Sequence, residues 1–484
     1  MNKFLFLFTF FCIVQFPLFA QTSSYCGTTT TDMKWLDHYV EHREQFDPEW
    51  GVIYNIPIQV HLVAQDNGSK RMTIPNILKT LAKLNSDMEQ AELRFFLKSD
   101  FDSLDNSTWY DHDYSQGYEM MNSNNINGAL NIYAVGSPAG NCGYYAPSTD
   151  AIALAIGCSG GTSSTLTHEM GHMLSLPHTF FGCEGVRYDP TEPISTFKSK
   201  IRGTLEKVDQ SNCSRAADRF CDTDPDYLSY RWNCNRDGRS TVELKDENGS
   251  TFRADGGLFM SYSNDGCANR FSEQQIQAMR ANINNRRSSI KKTTLPEDII
   301  TSNVPGLILP NSQELDPSNA LLSWEEAPNA TRYYVHVSRR KSFGGKAVYK
   351  GVVSKNTLQL PELLPGKKYY IRFYPYNFVS FDAGYSETFS FNTAEISAVN
   401  NSGTSGFQLQ SNLIKSGESI RLTNSEQVQM KISISDINGH ILFKDRIRAG
   451  ATLILPAHWS AGVYLLSVKK QNDTKSLYFP IVLY

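Results

Sequence analysis

The sequence predicts a multidomain chain, an α+β domain followed by two all-β sandwich domains, and three observations carry that expectation. Before residue 290, strand-like runs are interspersed with stretches of helical apolar period. Every cysteine, from Cys12 to Cys267, falls in that part. Beyond residue 305 the chain has no cysteine and reads as short alternating runs broken by turn dipeptides. A length of 484 residues allows about three domains. The formal charge of -3 gives no reason to expect a nucleic-acid partner.

Residues 1–20 carry Lys3, a short apolar run and a small residue, Ala20, at the end. That pattern predicts a secretory signal peptide, and no stretch is long enough for a transmembrane anchor. The expected location is therefore outside the cell or on its surface. Removal of Cys12 with the signal leaves eight cysteines, an even number that suggests disulfides in an exported chain. Residues 21–51 are polar, with a helix expected over Met33–Arg43, and read as a pro-segment or N-terminal strap.

The α+β domain is expected over 52–291. Ile56–Val63 alternates as a strand, and Pro75–Glu92 places Ile77, Leu78, Leu81, Leu84 and Met88 on one helical face. Leu93–Leu97, Leu130–Val135 and Ala151–Ile156 follow as strands, and Thr162 or Ser163 is placed to cap the next helix.

That helix carries HEMGHMLSLPH, from His168 to His178. His168 and His172 are four apart, hence one turn apart on one helical face, where two imidazoles share a tetrahedral Zn²⁺. Glu169 stands beside them as a general base. His178 reaches the same ion only if the chain turns back, and Pro177 is suited to ending the helix. The extended signature has glycine where Ser175 stands, a position that favours positive φ. After His178 the period is lost. Within that stretch Ala217–Asp226 (ADRFCDTDPD) offers hard oxygen ligands of the kind Ca²⁺ prefers, or else a solvated acidic turn. Met260 follows in GGLFMSY, then a helix over Ser272–Asn285 capped by Ser272. Two disulfides are expected: Cys234–Cys267, tying the irregular stretch to the Met260 turn, and Cys142–Cys158, flanking a strand-turn segment.

The long histidine motif followed by a methionine turn resembles the metzincin clan. CDT at Cys221–Thr223, MSYS at Met260–Ser263 and Cys267 before Phe271 resemble the pappalysin family of secreted metalloproteases, over roughly residues 25–290. The resemblance implies a metzincin-like fold, Met260 as a hydrophobic base beneath the metal, and Tyr262 close enough to stabilise an oxyanion. It implies calcium at Asp218, Asp222 and Thr223. It also implies that Cys26, in a CGT segment, is a latency ligand of the zinc. The other reading of Cys26, a disulfide, keeps all eight exported cysteines paired. Ser261 stands where many members have aspartate.

Residues 305–395 resemble a fibronectin type III domain, with Trp324 in the core and Tyr369 as the corner tyrosine. Residues 292–304 and Glu395–Ser405 read as linkers. In 406–484, Asn438-Gly439 between alternating runs predicts a hairpin. With the AGVYLLSV ending this part resembles the C-terminal sorting domain of type IX secretion, which implies the secretion machinery as a partner. The function expected from these features is a secreted zinc-dependent endopeptidase acting on proteins or peptides through a zinc-bound water, with Glu169 as base. The alternative is a non-catalytic surface adhesin on a metalloprotease scaffold, and the intact Glu169 argues against it.

Overall fold

The computed structural model describes residues 25–28, 33–301, 306–308, 314–395, 407–409, 413–415, 417–456, 459–471 and 476–483. The expected signal peptide at 1–20 and all but the first residue of the expected linker Glu395–Ser405 lie outside the described residues. The chain divides into two compact units, Met1–Pro296 and Glu297–Tyr484.

The first unit is built on a sheet in the order Leu93–Leu97, Tyr54–Ala64, Leu130–Val135, Ala151–Ala155, Gly143–Ala146. The first four strands run parallel, and Gly143–Ala146 closes one edge antiparallel to its neighbour. Asp102–Asp105 also pairs with Tyr54–Ala64, beyond the end of Leu93–Leu97. The alternation at 56–63 predicts a strand with one wet face, but Tyr54–Ala64 is buried along its whole length. A central parallel strand is covered on both faces, so its polar residues need partners inside. Gln59 Nε2 donates to the Asp100 carbonyl at 3.1 Å and Gln59 Oε1 accepts from Ser99 at 2.7 Å. His61 sits between Asp102 Oδ2 (2.9 Å) and Asn131 Oδ1 (3.1 Å).

Two helices brace the histidine-bearing part of this unit. Ile74–Met88 starts with proline in its first turn and buries Ile77, Leu78, Leu81, Leu84 and Met88. Its Asp87 accepts a bond from Thr167 at 2.7 Å, which ties it to the histidine-bearing helix Thr165–Met173. Glu273–Arg286 opens with a reciprocal capping box between Ser272 and Gln275. The same helix buries Arg280, which donates to the carbonyls of Pro48, Glu49, Val52 and Ala91. The chain entering the sheet is thereby pinned to the last helix of the unit. Three disulfides join Cys142–Cys158, Cys213–Cys221 and Cys234–Cys267. Cys26 and Cys183 are buried outside those bridges.

The second unit holds two β-sandwiches. One pairs a three-stranded sheet (Leu307–Ile308, Leu321–Trp324, Thr357–Gln359) with a five-stranded one, over a core containing Trp324, Tyr369 and Phe373. The Tyr369 hydroxyl accepts from Leu364 N at 2.9 Å, as a corner tyrosine does. The other closes over Ile420, Leu422, Ile434, Leu466 and Ile481, and its strands Met430–Asp436 and Ile441–Ile447 pair across the Asn438-Gly439 turn. No helix among the described residues is long and apolar enough to cross a membrane.

Candidate metal centre

Helix Thr165–Met173 is buried at every residue, so each polar side chain on it must be accounted for. Its N-cap is Ser164, where Thr162 or Ser163 was expected, and no capping bond comes from the Ser164 side chain. The Ser164 hydroxyl goes instead to Asp265 Oδ1 at 2.7 Å. The helix ends where Ser175 takes φ +76°, and Leu176 N returns to the Gly171 carbonyl at 2.9 Å. Serine thus occupies the left-handed conformation that glycine enters without cost, and its hydroxyl accepts from the buried Asn282 amide. Gly171 has its own reason: a Cβ there would lie 2.4 Å from Met260 Sδ, so only glycine lets Met260 fit under the helix.

The reversal at Ser175 brings His178 back onto His168 and His172. His172 Nε2 lies 3.1 Å from His168 Nε2 and 3.1 Å from His178 Nε2. The Nδ1–H groups of His168 and His172 point to the carbonyls of Phe259 (2.7 Å) and Leu176 (2.8 Å). Those bonds leave both Nε2 atoms as bare lone pairs facing inward. Burial, with the neighbouring His178 second, holds both imidazoles well below their ordinary pKa. Converging lone pairs repel unless a cation lies between them. Tetrahedral ligands about 2.0–2.1 Å from zinc stand roughly 3.3 Å apart, close to the spacing of these nitrogens. Cys26 Sγ is 3.5 Å from His172 Nε2, and the ligand atoms of Cys26, His168, His172 and His178 all lie within 4.8 Å of one another. The donor set, three imidazoles and a thiol, fits zinc.

Glu169 is fully buried beside this cluster and contributes no ligand atom to it. Burial pushes its carboxyl up to about 8, against the opposing hydrogen bonds of Cys26 and Thr28. Thr28 Oγ1 donates to Glu169 Oε2 at 3.0 Å and accepts from Tyr145 N at 2.8 Å. The Tyr262 ring packs edge-on to His178 at 4.9 Å, and its hydroxyl donates to the Cys26 carbonyl at 3.1 Å. Gly143, on the edge strand, meets Glu169 so closely that a Cβ would sit 3.0 Å from Glu169 Cγ. Ser261 donates to Asp226 Oδ2 at 2.9 Å, and Thr179 shares that oxygen at 2.8 Å.

In the acidic loop, Thr223 Oγ1 and Asp218 Oδ1 are 3.1 Å apart. Asp222 faces elsewhere: its oxygens accept from Ser272 Oγ and Gln274 N, both at 2.8 Å, at the start of the last helix. Sequence reasoning missed Glu206, whose two buried carboxylate oxygens have no hydrogen-bond partner. Burial first, then Asp218, Asp224 and Asp226, push Glu206 up to about 9. Burial likewise raises Asp218 to about 7. Glu206 stands twelve residues before Asp218 with no motif around it, so nothing in the sequence marked it.

No protein-family model matches the chain, and no curated protein shows significant sequence similarity to it. Among solved structures, a promirolysin variant from Tannerella forsythia overlaps 55% of this chain and 97% of its own, at 18% identity and TM-score 0.38. A fibronectin type III domain of the human collagen alpha-1(XX) chain overlaps 20% of this chain and 89% of its own, at 22% identity and TM-score 0.16. The sixth fibronectin type III domain of human fibronectin type III domain containing protein 3 overlaps 23% and 96%, at 18% identity and TM-score 0.17.

Proposed function

We propose that the chain is a zinc-dependent endopeptidase that cuts proteins or peptides. The observation that carries this reading is the inward convergence of three imidazole nitrogens beside a buried carboxylate that supplies no ligand atom to the cluster. His168, His172 and His178 would hold the ion. A zinc ion in this site supplies an acidified water and a Lewis acid for the peptide carbonyl. Glu169 takes a proton from the attacking water and returns it to the leaving amine, a role served by a carboxyl raised toward neutral pH. Tyr262 donates its hydroxyl to the carbonyl under attack, as it now donates to that of Cys26. Met260 supports the histidine helix from beneath.

In the same reading Cys26 keeps the precursor latent by filling the fourth ligand position. Calcium at Asp218 and Thr223, near Asp222, is the second cation, and the partnerless Glu206 supplies further oxygen ligands. Residues 1–20 direct export, 305–395 act as a fibronectin type III-like spacer or binding domain, and 406–484 address the chain to secretion machinery. The deciding experiment is Glu169→Ala. Proteolysis of a denatured protein substrate falls roughly 10²–10⁴-fold while zinc, measured by elemental analysis, stays bound. Near-wild-type activity in that variant would refute the assignment.

A further inference from the structure

Tyr25 directly precedes the thiol, and the strap around it lies on the sheet edge as an added strand. Cys26 bridges Gly143 in parallel, and Gly27 N donates to the Gly143 carbonyl at 2.8 Å. The Tyr25 side chain, only 7% exposed, fills a seat beside the histidines. Its ring meets His168 edge-on at 5.2 Å and Tyr262 at 5.4 Å. The Arg231 guanidinium lies over the ring, 3.9 Å from its centroid. At the far end the phenol hydroxyl interacts with Ser164 and Thr165, close to Asp265. Arg231 is itself fixed, with Nη2 3.4 Å from Asp265 Oδ1 and its other terminal nitrogen on the Ser263 carbonyl.

We propose that the seat of Tyr25 is the side-chain specificity pocket, and that it selects substrates with tyrosine, then phenylalanine, directly after the cleaved bond. The inference rests on the protease reading above and names its substrate class. An aromatic ring is held by the cation over its face and by two ring edges. Ser164 and Thr165 beside the hydroxyl give tyrosine a polar contact that phenylalanine lacks, while their own hydroxyls keep Asp265 and Ser163 as partners. A basic side chain is disfavoured, since Asp265 already meets Arg231 and Ser164 and the incoming cation would face Arg231. The side of the bond follows from direction. The strap runs parallel to Gly143–Ala146, whereas a substrate in the more stable antiparallel pairing puts the occupant of this seat on the C-terminal side.

The test uses the full-length chain carrying Tyr25→Ala and Cys26→Ala, loaded with zinc, and a mixed peptide library whose cuts are sequenced by mass spectrometry. Tyrosine directly after the cut is expected to be enriched about tenfold over leucine and over lysine or arginine, with phenylalanine between them. Adding Arg231→Ala removes most of that preference. Enrichment of basic or aliphatic residues there, or aromatic enrichment before the cut, overturns the proposal. Binding separates the pocket from the chemistry. With Glu169→Ala added, labelled Gly-Gly-Tyr-Gly should bind about tenfold more tightly than Gly-Gly-Leu-Gly or Gly-Gly-Arg-Gly. An uncut library with that binding order refutes the protease reading and keeps the pocket. Equal affinities overturn the pocket whether or not the library is cut.

Discussion

Ser175 shows how a motif tolerates a departure. At φ +76° it carries strain that glycine would not, and its hydroxyl offsets part of it by accepting from the buried Asn282. Ser175→Ala keeps the strain and leaves the Asn282 amide short of an acceptor, at a cost of about 1–3 kcal/mol. Ser175→Gly loses the same bond but relieves the backbone, whose left-handed conformation costs an L-residue roughly 1–2 kcal/mol, so its net cost is smaller. Urea denaturation should therefore rank serine above glycine above alanine, and alanine ranking above glycine would show that φ is not the constraint. The histidine-bearing helix ends at Met173 and the chain turns at Ser175, ahead of the proline expected to end it. The three histidines were still legible because the spacing of His168 and His172 on one helix and the short run to His178 are local features. Arg231 and Asp265 were not. They are 34 positions apart in sequence, and only the folded chain lays one over the other beside Tyr25.

The elements around the site differ in how plainly the sequence declared them. Ile74–Met88 and Glu273–Arg286 have period, apolar face or cap written locally, and both are found near the expected bounds. Gly143–Ala146 was missed: GYYA is short, and glycine argues against a strand although here it makes room for Glu169. The strap that lies on that edge has further anchors. Arg219 Nε donates to Asp37 at 3.1 Å and Arg43 Nη2 to the Arg219 carbonyl at 3.1 Å. With Cys26→Ala the strap keeps those anchors and loses its thiol at the histidines. The full-length precursor is then expected to cleave a denatured protein without added protease, and latency equal to wild type would refute Cys26 as the blocking ligand. The acidic loop makes a prediction of opposite signs. Two carboxylate oxygens of Glu206 are buried without partners, which is costly in the absence of a cation. Glu206→Gln should raise the melting temperature in chelator and abolish the rise that calcium gives the wild type, both read by differential scanning fluorimetry.

At the scale of the molecule, the cysteines divide the chain more sharply than hydrophobicity does. All three bridges lie in the first unit, and no cysteine occurs after Cys267. The Cys234–Cys267 bridge closes a 33-residue separation and ties the segment after Trp232 to the Met260 turn, where regular structure is sparse. Its removal frees unfolded-chain entropy worth about 2–4 kcal/mol, with smaller effects from the shorter loops. The sandwiches of 297–484 have no disulfide among the described residues and are held chiefly by apolar cores and strand ladders. Calorimetry with reductant should therefore lower the transition of the histidine-bearing unit by several degrees and leave the transitions of residues 297–484 in place. A common downward shift would mean that the two units unfold as one cooperative body. An unshifted first transition would mean that the irregular stretch is held by its packing around Tyr227 and Leu244, with the bridges adding nothing.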